Sequence, residues 1–340
     1  MANTARRLNY FFQVMDQLAG ELFSISGERD FNAAALQVFR YQAVHNPVYA
    51  KWINELGIDF RGVESIVDIP FLPVRAFSGH RVLAEGREPE KIFVSSGTAG
   101  MTRSFHYVAD TSIYERSFSS CFRLFYGDPS AYVILALLPS YLEREGSSLV
   151  YMAGKLIEMS ASPRGGFFLD DYRALQKSID EASRTGRKII LLGVSFALLD
   201  FAEKCNASLE NHIVMETGGM KGRRQEMTRE ELHSILCERF GTVAIHSEYG
   251  MTELLSQAYS KKGGVFSTPP WMKVLIRDPH DPFAYLPHGR SGGINIIDLA
   301  NIYSCSFIET SDLGRSYPGG TFEILGRFDN SDIRGCNLLV

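Results

Sequence analysis

Ser95-Ser96-Gly97-Thr98-Ala99-Gly100-Met101-Thr102-Arg103 opens with two glycines and three hydroxyls in six residues. Glycines let backbone amides approach an anion, and hydroxyls add donors, so the composition is that of a phosphate cradle. The spacing is not that of a Walker loop, and an ordinary tight turn has the same composition. A second group is Ser247-Glu248-Tyr249-Gly250-Met251-Thr252-Glu253. Here an aromatic that can stack on a base, a hydroxyl that can donate to a phosphate and a carboxylate that can hold Mg2+ lie within five residues. The competing reading is a helix N-terminus with an acid favouring its dipole. In Glu309-Thr310-Ser311-Asp312-Leu313-Gly314-Arg315, Asp312 is expected in a turn after a strand, where it can bind both hydroxyls of a ribose or simply close an Asx-turn. Phe322 to Asp329 ends a strand in Gly326-Arg327-Phe328-Asp329, which alone reads as a hairpin end.

The elements that must position these groups follow from periodicity. Lys91–Val94 reads as a strand entering the glycine loop. Helices are expected over 5–25 and 31–55, with Phe11, Met15, Leu18 and Leu22 as one apolar stripe. Ile69 to Phe77 is extended and punctuated by proline. Beyond the loop, helices are expected over 110–126, 149–159, 171–185, 195–204 and 228–239. The last has Thr228 as cap and Glu231 at the capping-box position. Strands are expected at Tyr132–Leu138, Lys188–Leu192, His212–Glu216 and Val243–His246, the first as a continuous apolar run buried on both faces. Strand and helix in alternation give a mainly parallel α/β sheet flanked by helices. In such sheets ligands collect at the carboxyl ends of strands. From about 263, short alternating segments rich in Gly and Pro suggest an antiparallel or barrel-like part.

The whole chain narrows the possibilities. Its 340 residues, 45% hydrophobic and 22% charged, suffice for a large core. A net charge of −4 argues against a general nucleic-acid binder. No stretch approaches the roughly 20 apolar residues of a membrane span, and the first residues lack the apolar run of a signal peptide. Cys121, Cys205, Cys237, Cys305 and Cys336 show neither paired spacing nor CxxC, which suggests reduced thiols and a cytoplasmic location.

Together, these segments resemble the motifs of the adenylate-forming superfamily, which includes acyl-CoA synthetases, peptide-synthetase adenylation domains and luciferases. Ser95 to Arg103 resembles its phosphate loop, Tyr249-Gly-Met-Thr-Glu253 its Y-G-x-T-E motif, Ser311-Asp312 its ribose-binding T-G-D and Gly326-Arg-Phe-Asp329 its hinge G-R-x-D. Thr217-Gly218-Gly219 lies where the family has a glycine-containing strand end under the adenine. The four motifs occur in family order over most of residues 91–335. Two departures stand out. The loop's Pro and Lys are Thr102 and Arg103, which keeps the charge but changes its geometry. The sequence also ends eleven residues after Asp329, where family members continue into a small mobile lid domain carrying an adenylation lysine.

Cys336 follows a glycine in the tail Asn330 to Val340. A deprotonated thiol is a good nucleophile toward an acyl-phosphate anhydride, and Arg334 could favour the thiolate. The plain alternative is a small hydrophobe beside Leu338-Leu339-Val340. With the motifs above, the pattern resembles the acyl-protein synthetases (LuxE type) of bacterial fatty acid reductase systems. Leu137 to Arg144 and Gly218 to Arg223 resemble that family too.

The resemblance implies an adenylate-forming large-domain fold with the lid absent. Residues 1–325 would form the large domain, divided into a helical part (1–90), a nucleotide-binding core (91–262) and a β-rich part (263–325). Residues 326–340 would be hinge and mobile tail. It implies a ligase that uses ATP and Mg2+ to make acyl-AMP from a fatty acid and then moves the acyl group to Cys336 as a thioester. An acyl reductase and an acyltransferase are the implied partners. Ser95, Ser96, Gly97, Thr98, Gly100 and Thr102, with Arg103, would hold the phosphates. Thr252 would serve the α-phosphate and Glu253 the Mg2+. Gly218, Gly219, Tyr249 and Gly250 would face adenine, and Asp312 and Arg327 would sit at the ribose. Arg327, Arg334 and Lys221 are candidates to replace the lid lysine. Two rival readings are an acyl-CoA ligase large subunit with a separate small domain, and a non-catalytic nucleotide-binding subunit of an acyl-transfer complex.

Overall fold

The computed structural model describes residues 13–96, 102–139, 146–220, 224–225 and 227–328. Two compact units emerge, one formed by residues 1–88 with 270–340 and the other by 89–269.

In the first unit residues 13–21 are helical, and Met15 and Leu22 are buried. Phe11 lies outside the described residues. Helix α1 (Glu28–His45) carries Glu28 and Asp30 in its first turn, where acids favour the dipole. Asn46 ends it and caps α2 (Pro47–Glu55), accepting from the amides of Val48 and Tyr49 at 3.1 and 3.2 Å. The proline-punctuated run is extended at β1 (Leu72–Pro73), but Ala76–Gly79 makes a helical turn, α3.

The second unit starts with the hairpin β2 (Lys91–Val94) and β3 (Phe105–Val108), whose strands bracket the glycine loop. Helix α4 (Thr111–Tyr126) is capped by Asp110. The central sheet follows in the order β5-β4-β6-β7-β8-β9. It comprises β4 (Tyr132–Leu137), β5 (Gly166–Phe168), β6 (Lys188–Val194), β7 (Ile213–Thr217), β8 (Ile245–Tyr249) and β9 (Ala258–Ser260). The first five are parallel and β9 is antiparallel. Crossovers are α5 (Ser148–Ser160), α6 (Tyr172–Ser183), α7 (Ser195–Lys204) and α8 (Arg229–Phe240), the last with both halves of the Thr228–Glu231 capping box formed. Val133–Leu137 and Ile189–Val194 are buried throughout, as continuous apolar runs of a parallel sheet require.

Two expectations shift here. The strand expected at Val243–His246 instead runs from Ile245 to Tyr249, and Val243 is 87% exposed. Its pairing with β9 carries the ladder out to Tyr249↔Ala258, so Ser247-Glu248-Tyr249 lies within the strand rather than after it. No helix follows; residues 250–257 form turns. The short β5 was not expected at all. Phe266, in β10 (Val265–Phe266), is buried and close to Tyr249, with ring centroids 6.1 Å apart.

The rest of the first unit is antiparallel: β11 (Met272–Arg277), β12 (Ser291–Asp298), β13 (Phe307–Ser316) and β14 (Phe322–Arg327), with β1 parallel to β13. Phe307 gathers Phe39, Tyr49 and Phe71 at centroid distances of 5.9 to 6.1 Å. Two fully buried amides pin the N-terminal helices to the segment entering β13. Gln42 Nε2 donates to the Asn301 and Ile302 carbonyls, and Asn46 Nδ2 to that of Ser304. Each would cost free energy if left unpaired. Cys305 lies in that entering segment before β13 begins.

Candidate active site

In the second unit, the residues that could handle phosphate stand at the loop base and at the ends of β7 and β8. Ser95 closes the loop base. Its amide donates to the Ser104 carbonyl at 3.0 Å, and its hydroxyl accepts from the Ser104 amide at 2.9 Å. Ser96 is half-buried, and Thr102 and Arg103 are exposed. Gly97, Thr98 and Gly100 lie outside the described residues.

Strand β7 ends at Thr217, and Gly218 turns the chain with φ +69°, a left-handed conformation suited to glycine. Gly219 follows. Across the ladder, Thr217 is the partner of Glu248, and its hydroxyl donates to Glu248 Oε2 at 2.5 Å. Burial pushes the Glu248 carboxyl up to about 7, with the neighbouring Glu216 adding to the rise and the Thr217 hydrogen bond opposing it. Glu216 is buried too. It accepts from Ser195 Oγ at 3.3 Å and has Arg229 Nε and His233 Nε2 within 3.6 and 3.5 Å. A Cβ on Gly250 would lie 2.6 Å from Glu248 Oε1, so glycine leaves room for that carboxyl.

Tyr249 is buried, its hydroxyl 3.6 Å from Met251 Sδ. Glu253 is 5% exposed. A single carboxylate there fits Mg2+, which takes most of its oxygens from phosphates and water rather than from a protein cage. No group of three or more His, Cys, Asp or Glu gathers as a metal site among the described residues. Sequence reasoning missed His106. On β3 it is fully buried, and its Nδ1 lies 2.8 Å from the Thr252 carbonyl.

In the first unit, Asp312 is not in a turn, as expected, but in the middle of the ten-residue β13. Its direct partner is Arg327 on β14, whose Nε donates to Asp312 Oδ1 at 3.2 Å. The backbone beneath is held tightly. The Asp312 amide donates to Thr310 Oγ1, which donates to the Ile294 carbonyl. Buried Arg277 donates to the Thr310 and Ile294 carbonyls and to Asn295 Oδ1, at 2.9 to 3.0 Å. Gly293 makes space for it, since a Cβ there would sit 2.3 Å from Arg277 Cζ.

Cys121 is buried in α4, Cys237 lies on α8 and Cys205 follows α7. Burial raises the thiols of Cys205 and Cys237, and that of Cys305 up to about 12. Cys336, Arg334, Asp329, Lys221 and the segment 140–145 lie outside the described residues.

This fold is that of the adenylate-forming ligases. One solved relative is 2-hydroxyisobutyryl-CoA ligase with 2-HIB-AMP and CoA in the thioesterification state. It superposes with a TM-score of 0.67 at 16% identity over 92% of this chain and 71% of that one. ATP-bound MatB from Rhodopseudomonas palustris gives a TM-score of 0.52 at 18% identity, over 69% of this chain and 47% of that one. This chain therefore spans about half the length of that structure. No protein-family model matches. In sequence, the chain is similar to the long-chain-fatty-acid–luciferin-component ligase of Vibrio harveyi, with 25% identity over 323 residues, covering 88% of this chain and 84% of that protein. The resemblance read from the motifs, to adenylate-forming enzymes and within them to the LuxE type, agrees with both comparisons. Among the described residues, no helix is long and apolar enough to cross a membrane.

Proposed function

We propose that this protein is an ATP-dependent acyl-protein synthetase that activates a fatty acid as acyl-AMP and carries the acyl group on Cys336. A carboxylate oxygen of the acid attacks the α-phosphorus of ATP, the bond to the bridging oxygen breaks, and pyrophosphate leaves. The Cys336 thiolate then attacks the acyl carbonyl and AMP leaves, giving a thioester for transfer to an acyl reductase partner.

Catalysis in the first step is positioning and charge neutralisation. Ser95, Ser96, Gly97, Thr98, Gly100 and Thr102 hold the phosphates with Arg103. Thr252 donates at the α-phosphate, and Glu253 would hold an Mg2+ that neutralises phosphate charge. Gly218, Gly219, Tyr249 and Gly250 face the adenine, and Asp312 with Arg327 binds the ribose. Residues 1–325 form the adenylating large domain, and the hinge and tail of 326–340 supply Arg327 and the acyl-accepting Cys336.

The observation that carries this reading is the similarity to a fatty-acid ligase over 88% of the chain, on the fold of acyl-adenylate enzymes. The raised thiols of Cys205, Cys237 and Cys305 support it, since they are poor nucleophiles. Fatty-acid-dependent exchange of labelled pyrophosphate into ATP tests the first step. Exchange that requires the acid and falls at least about tenfold in Thr252→Ala supports it; no exchange with any acid overturns it.

A further inference from the structure

The glycine loop and the Tyr249–Glu253 turn are far apart in sequence, yet one buried side chain joins them. His106 sits on β3 opposite Phe93, on the same hairpin face as buried Phe93 and Val108. Two residues earlier, the Ser104 backbone makes both hydrogen bonds that close the loop on Ser95, its carbonyl accepting from the Ser95 amide and its amide donating to the Ser95 hydroxyl. The His106 ring reaches away from this loop base to the Thr252 carbonyl, 2.8 Å from Nδ1. A carbonyl only accepts, so Nδ1 carries the hydrogen and donates.

We propose that His106 is a positioning residue whose Nδ1–H locks Thr252 and Glu253 to the base of the phosphate loop, so that the two phosphate-handling segments act as one rigid part. This rests on the adenylate-forming reading for its catalytic consequence, but the tether itself is a property of the fold. Burial holds the ring neutral by moving its pKa down to about 4, so the donor stays in one form through the neutral range. Misplacing Thr252 and Glu253 chiefly weakens contacts that strengthen as charge moves on the α-phosphate. The loss therefore falls on kcat rather than on KM for ATP.

The test compares His106→Asn, His106→Gln and His106→Leu. Asparagine places a donor N–H near the Nδ1 position; glutamine places it near Nε2, and leucine has none. In fatty-acid-dependent pyrophosphate exchange, leucine and glutamine should lower kcat about tenfold with KM for ATP little changed, and asparagine should stay within about threefold of wild type. Amide hydrogen exchange, which needs no turnover, should speed up in both 95–104 and 250–254 for leucine, and asparagine should restore protection. If leucine does not fold, the asparagine–glutamine pair carries the same comparison. Equal activity in asparagine and glutamine, or faster exchange in 250–254 alone, overturns the tether. If wild-type protein supports no pyrophosphate exchange, the functional reading falls, and hydrogen exchange still decides the tether.

Discussion

Arg327 Nε donates to Asp312 Oδ1 at 3.2 Å, and the two residues are direct cross-strand partners at the end of the β13–β14 ladder. Asp312 is nearly buried, whereas the Arg327 side chain is 63% exposed. An ion pair with so exposed a partner contributes little, about 0–1 kcal/mol. Its use is to aim a carboxylate whose backbone is fixed, the Asp312 amide donating to Thr310 Oγ1 and Arg277 donating to the Thr310 carbonyl.

If that carboxylate accepts from ribose hydroxyls, wild type should discriminate against 2′-deoxy-ATP. Asp312→Ala should raise KM for ATP about tenfold or more and remove most of that discrimination. Arg327→Ala should have the smaller effect on KM. Steady-state exchange kinetics with both nucleotides read this out, and unchanged discrimination in Asp312→Ala would refute the ribose role.

Close approach at β12–β13 gives a stability prediction. Gly292 and Gly314 are paired, and an added Cβ would meet the Arg277 carbonyl oxygen at 2.2 Å or the Glu323 carbonyl oxygen at 2.6 Å. Backbone cannot step aside as a side chain can, so each alanine should cost about 3 kcal/mol. Gly20, in the first helical segment, meets nothing within 4 Å, and alanine there should stabilise by about 0.5–1 kcal/mol. Urea unfolding midpoints separate the two signs.

Glu248 makes stability depend on pH. Its folded-state pKa of about 7 lies above the ordinary 4.5, so the folded protein holds a proton that the unfolded chain has released. The contribution is fully present below about 4.5 and is lost as pH rises through about 7, on the order of 3 kcal/mol. Glu248→Gln keeps an acceptor for Thr217 and cannot ionise. It should therefore gain stability relative to wild type between pH 5 and pH 8. The difference between the two proteins is what counts, because buried His106 and half-buried His246, both lowered to about 4, change stability in the opposite sense on the acid side. A wild-type-to-variant difference that is the same at both pH values would contradict the assignment.

Much of the fold was legible in sequence wherever local signals agreed with long-range pairing. The apolar runs of β4 and β6 and the Thr228–Glu231 capping box are local, and each became the expected element. The misreadings fall where partners decide. Ser247 to Tyr249 and Ser311-Asp312 are polar, which suggests loops, but Ala258 and Arg327 extend the ladders across them. Gln42 and Asn46 meet carbonyls roughly 260 positions away, which no periodicity reveals. At the candidate site, the motifs marked Thr252, Glu253 and Asp312, whereas His106 carries no motif. Its one sequence signal was alternation, since it shares a strand face with Val108 in Phe-His-Tyr-Val. The exposed β2–β3 face holding Ile92 and Phe105 fits the same pattern.

The most direct test is the intact mass of the protein after incubation with MgATP and fatty acids of graded length, for wild type and Cys336→Ser. The account predicts a hydroxylamine-labile acyl adduct in wild type only, strongest with the preferred acid. Pyrophosphate release without any adduct, or an adduct that persists in Cys336→Ser, would contradict it.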